Sequence, residues 1–125
     1  GFPDGVAFDA AGNLWGTLVM SDVLFVITPD GEYREILADV EPARVTAMQA
    51  AFEAGTLTQA QMLATAGTIA PWFSSLTFGG PDLRTVFIGS LRGDRIPCFR
   101  SPVPGLAPAH WNDGWRHNYF PKEPR

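Results

Sequence analysis

The chain has 125 residues, of which 46% are hydrophobic and 12% aromatic, the composition of a folded domain and not of a disordered segment. Its net charge of −4, with Lys122 as the single lysine and the arginines scattered, argues against nucleic acid, because nonspecific affinity for phosphate comes from Lys and Arg displacing counterions. No apolar run approaches the roughly 18 residues of a membrane span, and one cysteine, Cys98, leaves neither an internal disulfide nor a thiolate metal cluster.

Taken in chain order, the first expected feature is a Pro3-Asp4-Gly5 turn that runs into an inner strand over residues 6–9. A short Gly12-Asn13 turn then feeds a second strand over residues 14–20, and a third follows over 23–28. Pro29-Asp30-Gly31 carries its own turn signal, and alternation of Tyr33, Glu35 and Leu37 with polar neighbours gives a fourth strand over 32–38. Residues 1–39 therefore read as one four-stranded unit.

From Val40 the apolar period lengthens from 2 to about 3.6. Pro42 suits the first turn of a helix, Val45, Met48, Ala51 and Phe52 fall on one face, and Gly55 is a natural stop. Thr58 with Gln61 makes a capping box for a second helix, with Leu57 and Met62 placed as a hydrophobic staple and Gly67 as its end. Residues 40–73 are thus a helical insertion and linker, either a lid or partner-binding element or, more plainly, an apolar stripe packed on the sheet edge.

The first layout then returns over residues 74–101: Phe78 superposes on Phe8, Phe87 on Trp15 and Asp94 on Asp22. Strands are expected over 76–78, 86–91 and 95–99, with Cys98 as a small buried hydrophobe, and a fourth is blocked by Pro102, Pro104 and Pro108. Residues 102–125 hold Trp111, Trp115, Tyr119 and Phe120 among prolines, the pattern of an irregular tail wrapped on the surface. Repeated strand hairpins with Gly-rich turns suggest propeller blades, of which a closed ring needs about four to eight, so the chain is expected to begin in the middle of a larger protein.

Pro3-Asp4-Gly5 followed by Phe8-Asp9-x-x-Gly12-Asn13-Leu14-Trp15, and later Phe78-Gly79-Gly80-Pro81-Asp82-Leu83 with Val86-Phe87, resemble the gluconolactonase-like (regucalcin-type) family. The resemblance covers the first unit and the second, is weak in the middle and is absent from the tail. It implies an all-β fold, the last two blades of a six-bladed β-propeller with a two-helix insertion between them. A three-stranded final blade is what ring closure leaves when the missing outer strand comes from the N-terminus of the intact protein.

The same resemblance implies a metal-dependent hydrolase of lactones, in which the aspartate of the Pro-Asp-Gly motif is both metal ligand and general base. That role carries to Asp4 alone, since the family's other ligands, a glutamate and asparagines from earlier blades, have no counterpart here. Asp30 sits in the same tripeptide as a plain hairpin turn, whereas Asp4 precedes the innermost strand, where side chains converge on a channel. Carboxylate and amide oxygens are hard ligands, which suits calcium first, with magnesium, manganese and zinc also fitting. Ser74 occupies in the second unit the place of Asp4 in the first and is expected to line the channel. Arg92 and Arg95 lie on a loop at the same mouth, where they either touch substrate or decorate the surface. The expected partners are a lactone or ester substrate and the remaining blades of the same protein. The alternatives are a noncatalytic propeller that binds a ligand or protein through the same channel, and a short protein whose open strand edges pair between chains.

Overall fold

A computed structural model describes residues 1–111. The chain is predominantly β, with two antiparallel sheets and two short helices between them. The four-stranded sheet comprises β1 (Phe2–Phe8), β2 (Leu14–Val19), β3 (Val23–Ile27) and β4 (Tyr33–Ala38), paired in sequence order. Helices α1 (Pro42–Glu53) and α2 (Gln59–Leu63) follow. The three-stranded sheet comprises β5 (Phe73–Gly79), β6 (Thr85–Ser90) and β7 (Cys98–Arg100).

The internal repeat is visible in the pairing register. Pro3 faces Leu18, Val6 faces Gly16, Ala7 faces Trp15 and Phe8 faces Leu14. In the second sheet Phe73 faces Ser90, Leu76 faces Ile88, Thr77 faces Phe87 and Phe78 faces Val86. Aligning Phe8 with Phe78 and Leu14 with Val86 brings every one of these pairs into correspondence. The first strand of each sheet carries one bulge at the same place, between Pro3 and Val6 in β1 and between Phe73 and Ser75 in β5.

The two sheets pack face to face, and the contact is asymmetric. Trp15, Leu24 and Val26 from the first meet Leu76, Val86 and Ile88 from the second, with Phe73 at the start of β5 and Ala70 of the preceding linker completing the core. The Trp15 ring stands edge-on to Phe78 at 5.4 Å and tilted against Phe99 at 6.4 Å. Residues 103–106 then run back to the first sheet: Ala10 N–H donates to Pro104 O at 2.8 Å, Gly105 bridges Asp9, and Leu106 N–H donates to Phe8 O at 2.9 Å.

Local chemistry explains where the elements depart from the sequence reading. Pro3-Asp4-Gly5 is a bulge within β1, and no turn precedes the strand, because pairing continues past it to Phe2 opposite Val19. β7 begins at Cys98, later than expected, since Pro97 has no N–H to give the ladder although its carbonyl still accepts from Ile88. Cys98 is exposed, because its register opposite Phe87 turns it to the face of the second sheet that points away from the first. α1 starts with Pro42 in its first turn and ends in a Schellman pair, Thr56 N–H to Ala51 O and Gly55 N–H to Phe52 O, with Gly55 at φ 68°. α2 has the Thr58 and Gln61 capping box but stops at Leu63, well before Gly67. The expected tail lies as irregular chain over residues 102–111, and its remainder, 112–125, falls outside the described residues.

Candidate functional site

Antiparallel order puts the start of β1, the β2–β3 turn, the end of β4, the start of β5 and the β6–β7 loop at one end of the two sheets. α1 lies over that end. Pro42 and Val45 sit beside Val23 and Ala38, while Met48 and Phe52 sit beside Phe2, whose ring meets Phe52 edge-on at 5.0 Å. A 12-residue helix is about 18 Å long, enough to cross four strands spaced about 4.8 Å apart. α1 therefore reaches from the β3 and β4 side of the first sheet to Phe2 of β1.

Asp4 occupies the β1 bulge and is exposed. The bulge is held from behind by Thr17, whose Oγ1 accepts the Gly5 N–H at 3.2 Å and donates to Gly5 O at 3.4 Å. Gly5 is required by a close approach, because a Cβ there would stand 2.5 Å from the Ser75 Cα and 2.7 Å from the Ser74 carbonyl oxygen. The two bulges therefore touch, and Asp4 and Ser74 stand next to that contact on β1 and β5. Ser74 is half-buried and Ser75 exposed.

Arg92 and Arg95 lie on the β6–β7 loop and differ in how they are held. The Arg92 guanidinium lies 5.1 Å over the Trp72 ring, and its backbone N–H donates to Ser90 Oγ at 3.2 Å. Arg95 pairs with Asp94 at 3.0 Å in an open surface contact, which lowers the Asp94 pKa through the hydrogen bond first and the charge second. Arg92 thus stands beside the residue that leads into the Ser74 bulge, while Arg95 is spent on its neighbour.

Three aspartates to which the sequence reading gave no site role fix this end and the opposite one. Asp22 is wholly buried and in the left-handed region (φ 45°), where its Oδ1 accepts the Phe73 N–H at 2.7 Å and its Oδ2 the Gly67 N–H at 2.6 Å. Burial raises its pKa, against the pull of those N–H groups. Asp39 accepts the Thr68 N–H at 2.7 Å and the Ile69 N–H, so the two carboxylates together nail the linker to the first sheet. Asp22 is thereby chemically unlike exposed Asp94, its counterpart in the repeat. At the other end Asp9, also buried, accepts from Ala11 and Asn13 N–H at 2.9 Å, Asn13 Nδ2 at 2.7 Å and Trp15 Nε1 at 2.9 Å. Burial pushes its carboxyl up, but the bonds from Asn13, Trp15 and Ala11 outweigh that and leave it below the ordinary value. An Asp or Asn at a strand end followed by Gly-Asn is the one local signal that marks such a turn carboxylate.

Ser21 Oγ and Trp72 Nε1 are buried without a hydrogen-bond partner, both at the α1 end. Among the described residues no group of three or more His, Cys, Asp or Glu side chains converges as metal ligands. Asp4 supplies one carboxylate with Ser74 nearby, an incomplete set for a hard cation that takes about six to eight oxygens. No family model matches the chain, and no curated protein matches it.

Proposed function

We propose that the chain is the C-terminal part of a gluconolactonase-like β-propeller that hydrolyses lactones with the help of a divalent cation. The observation that carries this reading is the placement of Asp4 in an open bulge of an innermost strand, pressed through Gly5 against the corresponding bulge of the next unit. Bulges re-aim side chains and recur beside active sites. The position thus suits a carboxylate turned toward an axis shared by several blades.

A bound calcium, magnesium, manganese or zinc ion supplies Lewis-acid polarisation of the ester carbonyl and acidifies a bound water. Asp4 is the ligand and proton acceptor that this chain contributes, Ser74 lines the channel beside it, and Arg92 stands at the rim on Trp72. The remaining ligands come from further blades of the same protein. In the alternative reading the same mouth binds a ligand or partner without turnover, and the half-buried Trp72 with Arg92 stacked on it favours that use.

The test is lactone hydrolysis with calcium, with zinc and after chelation, in the 125-residue chain and in the polypeptide that carries the remaining blades. Turnover is expected only in the latter, is lost on chelation and falls at least about 100-fold in Asp4→Asn. Turnover by the 125-residue chain alone, or an Asp4→Asn protein as active as its parent, overturns the reading. Cation binding without turnover selects the noncatalytic alternative.

A further inference from the structure

The contact between the two sheets is heterologous: one face of the first unit meets the opposite face of the second. Because the units share one register, each sheet also presents, on its outer side, a copy of the face that the other buries. On the first sheet the outer positions Val6, Phe8 and Leu14 correspond to Leu76, Phe78 and Val86, which are in or against the core. Val6 and Phe8 are 57% and 52% exposed, although their counterpart Leu76 is only 7% exposed.

The second sheet is bare in the complementary sense. Its outer face carries Phe87 where the first sheet has Trp15, and Cys98 where it has Val26. Ile96, in the loop just before β7, stands where Leu24 does, counting two residues back from Cys98 and from Val26. Phe87, Ile96, Thr77 and Ser75 line a shallow concavity of about 430 Å³, and Ile96 is 69% exposed. The chain therefore carries both halves of a contact that it already makes once internally.

We propose that a second copy of this chain docks its Val6–Phe8–Leu14 face onto the Thr77–Phe87–Ile96 face of the first. Phe87 then meets Phe8 and Ile27 of the next copy as Trp15 meets Phe78 and Phe99 within one. A head-to-tail contact of this kind closes into a ring when the rotation permits, and rings of two, three or four copies hold the even sheet numbers of closed propellers. The inference rests on the shared register and not on the hydrolase reading, so the failure of one leaves the other standing.

Light scattering coupled to gel filtration, from micromolar to millimolar chain, reads the outcome. The parent is expected at two to four times 13.6 kDa. Phe8→Asp spoils one face and Ile96→Asp the other, and because both side chains are exposed each variant keeps its fold, checked by circular dichroism. Each variant alone is expected to be a monomer, and an equimolar mixture a one-to-one dimer and nothing larger, since each retains the face the other has lost. A monomeric parent, association that survives either substitution, or a mixture that stays monomeric overturns the proposal. Should Ile96→Asp fail to fold, Thr77→Asp on the same face replaces it.

Discussion

Asp22 and Phe73 are 51 residues apart and are joined by one buried hydrogen bond, the Asp22 Oδ1 accepting the Phe73 backbone N–H at 2.7 Å. That bond sets the start of β5 against the first sheet, and Phe73 directly precedes the Ser74 bulge. A buried carboxylate of the first repeat thus positions the β5 bulge of the second.

Replacing Asp22 by Ala leaves the Gly67 and Phe73 N–H groups buried without acceptors, and the chain is expected to lose about 2 to 5 kcal/mol. Urea unfolding checks this. Because burial raises the folded pKa above the ordinary 3.8, this group's contribution is fully present below 3.8 and is lost as pH rises through the raised value. Asp22→Asn is expected to remove that part of the pH dependence, and an unchanged stability–pH curve contradicts the assignment.

Asp9 is expected to act with the opposite sign. Its folded pKa is depressed, so its stabilisation is present above 3.8 and disappears as pH falls through the lower folded value. Asp9→Ala strips the Trp15 indole and the Asn13 side chain of their acceptor and costs about 2 to 4 kcal/mol near neutral pH. Urea titration followed by tryptophan fluorescence is expected to show the difference between variant and parent shrinking as the solution is acidified.

Gly5→Ala places a Cβ at 2.5 Å from the Ser75 Cα, a backbone atom that has no rotamer with which to yield. β1 and β5 must separate, at an expected cost of about 1 to 3 kcal/mol. Gly31→Ala serves as control: nothing stands within 4 Å of the added atom, and its φ of 89°, unlike that of Gly5, lies in the left-handed region, so only backbone strain at a remote turn is introduced.

Asp82 accepts from Arg100 at 2.6 and 3.1 Å on the surface, and this hydrogen bond holds its pKa down at about 2. Carbon-detected NMR titration of the side-chain carboxyl is expected to show that value, with a return toward 3.8 in Arg100→Gln. The pair is exposed, so global stability should change little.

Alternation and turn residues made seven strands legible, and the two hairpins aligned on Phe8 and Phe78 because strands of one repeat share a register. The helices were legible from Pro42, Gly55 and the Thr58–Gln61 box, which act locally. What the sequence did not disclose is non-local. Asp22 and Asp39 look like ordinary turn residues until the linker folds back onto them, and Pro3-Asp4-Gly5 looks like a turn until β2 pairs past it. Gly5 owes its identity to a strand 70 positions away, which no window on the sequence contains.

The return of residues 104–106 to the first strand has a consequence for synthesis. A nascent chain emerging from the ribosome can pair β1 with β2 at once, yet the edge at Phe8 and at Ala10 just beyond β1 stays open until the last of these residues has left the exit tunnel. During that interval a ribosome-bound chaperone has a bare ribbon to hold, and a stalled messenger would release a product with an adhesive seam.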